Sequence, residues 1–90
     1  MRVALICTDK AGALQTRLDT RAAHLAYIEE TGVVEMAGPF LSPEGQMTGS
    51  LVVLNVETLA EAQDWAAGDP YAKAGLFETV TISEWKKVIG

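Results

Sequence analysis

The sequence predicts an α+β fold in which four strands and two helices follow one another in the order β-α-β-β-α-β. Three observations lead to this prediction. Four short apolar segments have the length of strands, one longer segment repeats leucine at helical spacing, and a Thr-x-x-Glu capping box precedes a second helix. With 90 residues, 49% of them hydrophobic and 21% charged, the chain has the composition of one small globular domain spanning residues 1–90.

The first half of the chain contains two predicted strands and the longer helix. Residues 3–7 form an apolar run of strand length that polar residues close. Over residues 13–31, leucine and isoleucine recur every three to four positions among charged residues, which predicts an amphipathic helix with the leucines as its apolar face. Gly32 suits the position after the helix end. Residues 33–40 are the second strand, followed by a Pro- and Gly-containing loop at 41–48.

The second half is predicted to repeat the strand-helix-strand order of the first. Residues 50–56 carry three valines and two leucines and are the clearest strand. The capping box at residues 58–61 predicts a helix that starts at Leu59. This helix should stop at residues 68–70, Gly-Asp-Pro, because the residue before a proline is biased against helix. The last strand is expected over about residues 77–88.

This element order is that of the ferredoxin-like unit, an antiparallel sheet with both helices on one face. A sheet with one wet face should alternate apolar and polar residues, whereas residues 3–7 and 51–54 are apolar in both phases. The face without helices therefore needs a partner, and a second copy of the chain is the simplest candidate. Two sheets packed face to face would form a barrel-like homodimer, with further association left open. The alternative is that a few exposed valines are tolerated.

Charge and motif content exclude several classes of partner and cofactor. The net charge of −5 argues against nucleic acid, whose binding needs clustered Lys and Arg. The apolar runs are too short for a membrane helix or a signal peptide, which favours a cytoplasmic protein without a membrane partner. One histidine, one cysteine and scattered carboxylates do not form a metal-ligand set, and no nucleotide-binding glycine motif is present. No metal and no cofactor are expected.

His24 and Asp69 are the residues best suited to proton transfer. His24 lies on one helical stripe with Arg17 and Arg21, at the edge of the leucine face. An imidazole there suits general acid or base chemistry near neutral pH, although it could equally be a boundary histidine that only packs and hydrogen-bonds. Asp69 follows a helix end and could orient an imidazole through Nδ1, or it could bond only its own turn.

Four further side chains have chemistry that could serve a site. Ser50, preceded by glycine at the start of a strand, could bind a substrate oxygen or only satisfy local backbone. Arg21 and Arg17 could hold an anionic substrate through paired N–H donors, or could be solvated or paired with acidic residues. Cys7 lies on an apolar strand and is expected to be a buried, inert thiol. The aromatic residues of the second half are expected to make core or dimer contacts.

Four motifs in this order resemble the YCII-related domain family, and in particular its short YciI-like members. They are Arg-Ala-Ala-His-Leu at 21–25, Ala-Gly-Pro at 37–39, Thr-Gly-Ser at 48–50, and Asp-Pro-Tyr-x-x-Ala-Gly-Leu at 69–76. The resemblance implies a ferredoxin-like fold that dimerises into an α/β barrel. It also implies a cleft with His24 and Asp69 as its catalytic pair, and with Ser50 and Arg21 as substrate-binding residues.

The resemblance settles the fold far better than the reaction. One relative in the family is similar to a dehydrochlorinase that acts on a chlorinated hydroxyquinol. We therefore expect a cofactor-independent enzyme of lyase, dehydrochlorinase-like or isomerase type, acting on a small cyclic or aromatic oxygenated substrate through its histidine and aspartate. The alternative is a non-catalytic dimeric module that binds a small ligand or assists a partner enzyme.

Overall fold

Four strands and three helices form the computed structural model, which describes residues 1–90. In chain order they are β1 (Arg2–Asp9), α1 (Leu14–Thr31), β2 (Val34–Leu41), β3 (Met47–Asn55), α2 (Leu59–Gly68), α3 (Pro70–Lys73) and β4 (Phe77–Trp85). The strands form one antiparallel sheet in the order β2-β3-β1-β4. The predicted ferredoxin-like α+β architecture is confirmed.

Local sequence explains where the helices begin and end. Gly32 closes α1 in the left-handed conformation, with φ of 67°, and its N–H donates to the carbonyl of Ile28. Thr58 caps α2 by accepting from the N–H of Glu61 at 3.2 Å, as the capping box predicts. The short helix α3 was not predicted.

The core lies between the helices and one face of the sheet. Along β1, Val3, Leu5 and Cys7 alternate towards this face and are almost completely buried. They stand opposite Leu54, Val52 and Ser50 of β3, respectively. From α2, the side chains of Ala62 and Trp65 join the same apolar cluster. The period-two alternation of the strands therefore places Ser50 at one end of the core, next to the buried Cys7.

The buried side of α1 is not the leucine side, so this part of the helix prediction is wrong. Leu14, Leu18 and Leu25 are 37%, 47% and 48% exposed, whereas the buried side chains of α1 are Arg17 and His24. Burial of these polar groups is tolerated because each has a partner, a carboxylate in both cases. Leu18 and Leu25 are left at the edge of a cavity.

The opposite face of the sheet is uncovered and largely apolar. Ile6, Met36 and Phe40 are 45%, 45% and 41% exposed there, and Leu51 stands between β1 and β2 on the same face. The prediction that the helices cover one face only is therefore confirmed, while the partner for the other face stays a prediction. No helix of the chain is both long enough and apolar enough to cross a membrane.

Candidate functional site

A cavity of about 420 Å³ opens between α1 and the inner face of β2 and β3. The half-exposed Leu18 and Leu25 form part of its wall, together with Pro39 and Met47. Its polar groups come from five residues, which are Arg17, Arg21, His24, Ser50 and Tyr71. The cavity is therefore an apolar chamber with a small number of placed polar groups, which is the usual composition of a small-molecule site.

A buried ion-pair-like contact between His24 and Asp69 forms one side of the site. Nδ1 of the imidazole lies 2.7 Å from Oδ1 of the carboxylate, and the two side chains are 8% and 4% exposed. Because a carboxylate can only accept, Nδ1 carries the hydrogen of this bond. The neutral ring then has its lone pair on Nε2, which no protein group engages, and His24 lines the cavity. Chemically, Nε2 in this arrangement can accept a proton while the carboxylate of Asp69 holds the ring in place.

The turn after α2 explains why Asp69 is available to His24. Asp69 leaves the helical conformation, with φ of −61° and ψ of 125°, and so ends α2. Its Oδ1 then accepts the N–H of Tyr71 at 3.0 Å and caps α3, where Pro70 occupies the first turn. Asp69 therefore does both of the things weighed from the sequence: it bonds its own turn and it holds the imidazole.

Tyr71 covers one face of the imidazole of His24. The two rings are stacked at a centroid distance of 3.9 Å and an interplanar angle of 17°. The guanidinium carbon of Arg17 lies 4.8 Å from the centroid of the same tyrosine ring. Arg17 and His24 are seven residues apart on α1, about 10 Å along the helix axis, so the ring of Tyr71 lies between them. Burial raises the pKa of Tyr71, and the charge of Arg17 opposes that rise.

A second buried pair lies beside the first. Nε and Nη2 of Arg17 donate to the two carboxylate oxygens of Asp9 at 2.7 and 2.8 Å, and Nη2 also donates to Oγ of Ser50 at 2.8 Å. The side chains of Arg17 and Asp9 are 3% and 6% exposed. Burial alone would lower the pKa of Arg17, but interactions with Asp9, and to a lesser extent with Tyr71, together outweigh it and raise this pKa. Arg17 is thus a permanent cation in the wall.

Gly49 explains how Ser50 reaches this position. The backbone of Gly49 faces Thr8 of β1, and a Cβ atom at Gly49 would overlap the carbonyl oxygen of Cys7. A side chain there would push the two strands apart. The Gly-Ser sequence therefore lets β3 approach β1 closely and turns the next residue, Ser50, towards Arg17.

The sequence-predicted site residues are not all equivalent in the structure. His24, Ser50 and Arg21 line the cavity, and Asp69 reaches it through His24. Arg21 is exposed at its rim, without a hydrogen-bonded partner. Cys7 is buried as expected, and burial raises the pKa of its thiol to about 12.

Sequence reasoning missed Tyr71 and Asp9 as site residues and left Arg17 undecided. Arg17 precedes His24 by seven residues, and this spacing was the available signal for a shared helical face. Asp9 stands at a register shift of β1 against β4, which no residue pattern announces. Tyr71 was expected to make core or dimer contacts, and its stacking on His24 depends on the unpredicted helix α3.

Comparison with known proteins identifies the family. The model of the YCII-related domain family matches residues 1–86. The chain belongs to this family. Protein YciI of Escherichia coli is 37% identical over 97 residues, which covers 98% of this chain and 99% of that protein. An uncharacterised protein of Haemophilus influenzae is 34% identical over the same length and the same shares of both chains.

Solved structures with a similar fold agree with the assignment of this chain to the YCII-related family. A 5-chloro-2-hydroxyhydroquinone dehydrochlorinase from Burkholderia phenoliruptrix, solved in complex with 2,5-dihydroxybenzoquinone, has a TM-score of 0.89 and 35% identity. The match covers 96% of this chain and 94% of the dehydrochlorinase. An antibiotic biosynthesis monooxygenase has a TM-score of 0.57 at 10% identity, which shows a shared fold alone.

Proposed function

We propose that this YciI-like protein is a small-molecule enzyme that uses His24 and Asp69 for general acid/base chemistry on a small hydroxylated ring. The observation that carries the proposal is the state of the imidazole. Its Nδ1 is held by a buried carboxylate 2.7 Å away, and its other nitrogen is unengaged in a largely apolar cavity. Asp69 favours the imidazolium that forms when Nε2 takes a proton.

The step needs only a base and a path for electrons through the ring. Nε2 of His24 takes the proton of a ring hydroxyl, and the electron pair of the broken O–H bond forms a C=O bond. The displaced π electrons take up a proton at a ring carbon, which is isomerisation to the keto tautomer. Where that carbon bears chlorine it is now saturated, and loss of the proton of a second ring hydroxyl to Nε2 lets the π electrons expel chloride, which is dehydrochlorination. The products are then the hydroxyquinone, chloride and the proton on His24. Atoms and electrons balance without an oxidant, so the proposal includes no cofactor.

The shape of the cavity supports a ring as the substrate. Its volume of about 420 Å³ is in the range of small-ligand pockets, and its wall includes Leu18, Leu25 and Pro39. The similar dehydrochlorinase acts on a hydroxylated six-membered ring and was solved with another. We therefore take 5-chloro-2-hydroxyhydroquinone as the test substrate, and 2,5-dihydroxybenzoquinone, called the quinone probe below, as the binding probe.

Ser50 and Arg21 are proposed to bind the oxygens of the substrate. Ser50 offers a hydroxyl inside the cavity, and Arg21 offers a guanidinium at its rim. Arg21 is exposed and unpaired, so Arg21→Gln should weaken binding of the quinone probe at low salt and lose this effect at high salt. The melting temperature should stay within a few degrees of the wild-type value.

Turnover tests the proposal. Chloride release from the test substrate is measured under nitrogen, because hydroxyquinols oxidise in air. His24→Gln should lower the rate by about 10²-fold or more. Glu29→Gln, on an exposed position of the same helix, is the matched control and should leave the rate unchanged. Undiminished chloride release by His24→Gln would contradict the proposal. Probe binding without turnover by the wild-type protein would favour the ligand-binding module instead.

We also propose that a second copy of the chain covers the apolar face of the sheet, giving a homodimer. Three neighbouring strands contribute to this face, with Ile6 on β1, Leu51 on β3, and Met36 and Phe40 on β2. Exposure of these large side chains to water is unfavourable, and an isologous sheet-to-sheet contact removes it.

Sedimentation velocity at micromolar concentration tests the dimer. Wild-type protein should sediment as a dimer, with any larger species recorded in the same run. Ile6→Glu should shift it towards the monomer. Gln63→Glu on the exposed side of α2 is the control for added charge. A folded wild-type monomer at this concentration would overturn the proposal.

A cytoplasmic location is part of the same proposal. The single cysteine, Cys7, which has no disulfide partner in the chain, is compatible with this location. Fractionation of the native host, with immunodetection of the chain, should place it with the cytoplasmic marker enzymes. Recovery with the periplasmic or secreted fraction would contradict this location.

A further inference from the structure

The hydroxyl of Ser50 has one hydrogen bond in the protein, and in it Oγ is the acceptor. The donor is Nη2 of Arg17, at 2.8 Å. A hydroxyl can donate one hydrogen and accept two, so the hydrogen of Ser50 has no protein acceptor. Ser50 is 4% exposed and lines the cavity. Its unused hydrogen therefore belongs to whatever occupies that cavity.

Arg17 is held in a single position by Asp9. The two N–H groups that face Asp9 form a bidentate pair with its carboxylate, at 2.7 and 2.8 Å, and both side chains are almost completely buried. Tyr71 lies against the guanidinium from the side of His24. A guanidinium has no acceptor atoms, so Arg17 can only donate to Oγ of Ser50. This contact prevents the hydroxyl from turning its hydrogen towards Arg17.

We propose that Asp9, Arg17 and Ser50 form an anion-binding corner of the cavity, in which Ser50 donates to an ionised oxygen of the substrate. Arg17 is a positioning residue: it acts through Ser50 by orienting the hydroxyl and by making its hydrogen more positive. Asp9 fixes Arg17 and leaves the corner with no net charge, so the corner selects by hydrogen bonding.

The inference rests on the proposed function and specifies its substrate class. The preferred ligand is a ring with one ionised hydroxyl, a phenolate or enolate, next to a second hydroxyl whose proton His24 removes. Ser50 would hold the existing negative charge while the second oxygen reacts. A ring whose oxygens are all methylated lacks the ionised oxygen and gains nothing from the corner.

Equilibrium binding, which needs no turnover, tests the corner separately from the reaction. The quinone probe has hydroxyls that are vinylogous carboxylic acids and are ionised at neutral pH. Its neutral counterpart is 2,5-dimethoxy-1,4-benzoquinone. Each compound is titrated calorimetrically into the wild-type protein and into Ser50→Ala. The dissociation constant of the quinone probe should be about tenfold or more higher for Ser50→Ala than for the wild-type protein, as expected for loss of a hydrogen bond to a charged group. That of the dimethoxy compound should not change.

A double-mutant cycle tests the role of Arg17. Arg17→Lys keeps the charge, but a lysine cannot form the bidentate pair with Asp9 and also donate to Ser50. It should therefore weaken binding of the quinone probe when Ser50 is present, and have little effect on this binding in the Ser50→Ala background. A purely structural role would weaken both probes equally in both backgrounds. If Arg17→Lys does not fold, the Ser50→Ala comparison still decides the central point.

The outcomes separate this inference from the proposed function. Equal binding of the quinone probe by Ser50→Ala and wild-type protein overturns the corner, whatever the turnover experiment gives. A loss of affinity in Ser50→Ala that is the same for the quinone probe and the dimethoxy compound also overturns it. Ser50-dependent binding of the ionised ring supports the corner even where chloride release fails, in which case the proposed reaction alone is wrong.

Discussion

Tyr71 stacks on His24 with ring centroids 3.9 Å apart, and the N–H of Tyr71 is bonded to the same carboxylate oxygen that holds Nδ1 of His24. One short turn therefore supplies both the acid that fixes the tautomer of the imidazole and the ring that covers its face. With one face covered and Nδ1 engaged, a substrate can approach the imidazole by its Nε2 edge. The geometry of this turn, rather than the histidine alone, defines the site.

The first prediction concerns this stacking contact. Tyr71→Phe keeps the ring, so turnover and stability should stay close to the wild-type values. Tyr71→Ala removes a side chain that is only 3% exposed and should lower the free energy of unfolding by about 3–5 kcal/mol, as large-to-small aromatic changes do. Urea unfolding and chloride release measure the two effects. A loss of turnover in Tyr71→Phe as large as that in Tyr71→Ala would argue that the hydroxyl, and not the ring, matters.

The second prediction separates the two roles of Asp69. Asp69→Asn keeps a side-chain oxygen that can cap α3, but it cannot stabilise an imidazolium. Asp69→Ala loses both contacts. Turnover should fall about 10²-fold or more in both variants, whereas Asp69→Ala should be less stable than Asp69→Asn by about 1 kcal/mol, the usual value of a cap. Equal turnover of Asp69→Asn and wild-type protein would show that the carboxylate has no part in the reaction.

The third prediction concerns the buried pair of Arg17 and Asp9. Arg17→Met leaves the carboxylate of Asp9 buried without its partner and should cost about 3–5 kcal/mol of unfolding free energy. Replacing both residues, by Met and Leu, should recover much of that loss because no lone charge is left.

The control for that pair is an ion pair at the surface. Arg2 and Glu35 lie 2.7 Å apart, with side chains 34% and 27% exposed. Arg2→Met should cost about 1 kcal/mol or less. If urea unfolding gives equal losses of unfolding free energy for Arg2→Met and Arg17→Met, the buried pair does not stabilise the fold more than the surface pair does.

The fourth prediction is a pH dependence that arises from Cys7. Burial raises the pKa of its thiol from 9.0 to about 12, with the charge of Asp69 adding to the effect. Above pH 9 the unfolded chain releases this proton while the native chain keeps it, so the native state binds more protons and its stability falls as pH rises. The contribution of Cys7 is complete below about pH 9 and is lost between about pH 9 and 12.

Comparison with Cys7→Ala isolates this contribution, because Tyr27 and Tyr71 also have raised pKa values and titrate in the same range. The difference in unfolding free energy between wild-type and Cys7→Ala protein should be constant up to about pH 9 and then shrink. A difference that stays constant up to pH 11 would mean that the thiol is not buried in solution.

The fold could be predicted because its signals are local and periodic. The capping box at Thr58 and the apolar runs of β1 and β3 each depend on neighbouring residues, and together they specify the element order. The burial of α1 could not be predicted in this way, because periodicity marks an apolar face without showing which face packs inward. Arg17 can be buried because it bonds to Asp9 and Ser50, which lie on β1 and β3.

The site residues also differ in whether they could be predicted from the sequence. His24, Asp69, Ser50 and Arg21 entered as candidates from their chemistry and from the family resemblance, and the structure places three of them on one cavity, with Asp69 behind His24. Asp9 and Tyr71 were not predicted as site residues. Asp9 stands at an irregularity of strand β1, and Tyr71 lies on the one-turn helix α3, and neither feature has a clear sequence signal. Contacts between groups 45 residues apart, as in His24 and Asp69, arise from the tertiary fold.

A crystal structure of the protein with bound 2,5-dihydroxybenzoquinone tests the central claim most directly. The account predicts one ring oxygen within hydrogen-bond distance of Nε2 of His24, with Nδ1 still bonded to Asp69, and a second oxygen accepting from Oγ of Ser50. A quinone bound outside the cavity, or one that leaves Nε2 of His24 without a contact, would contradict it.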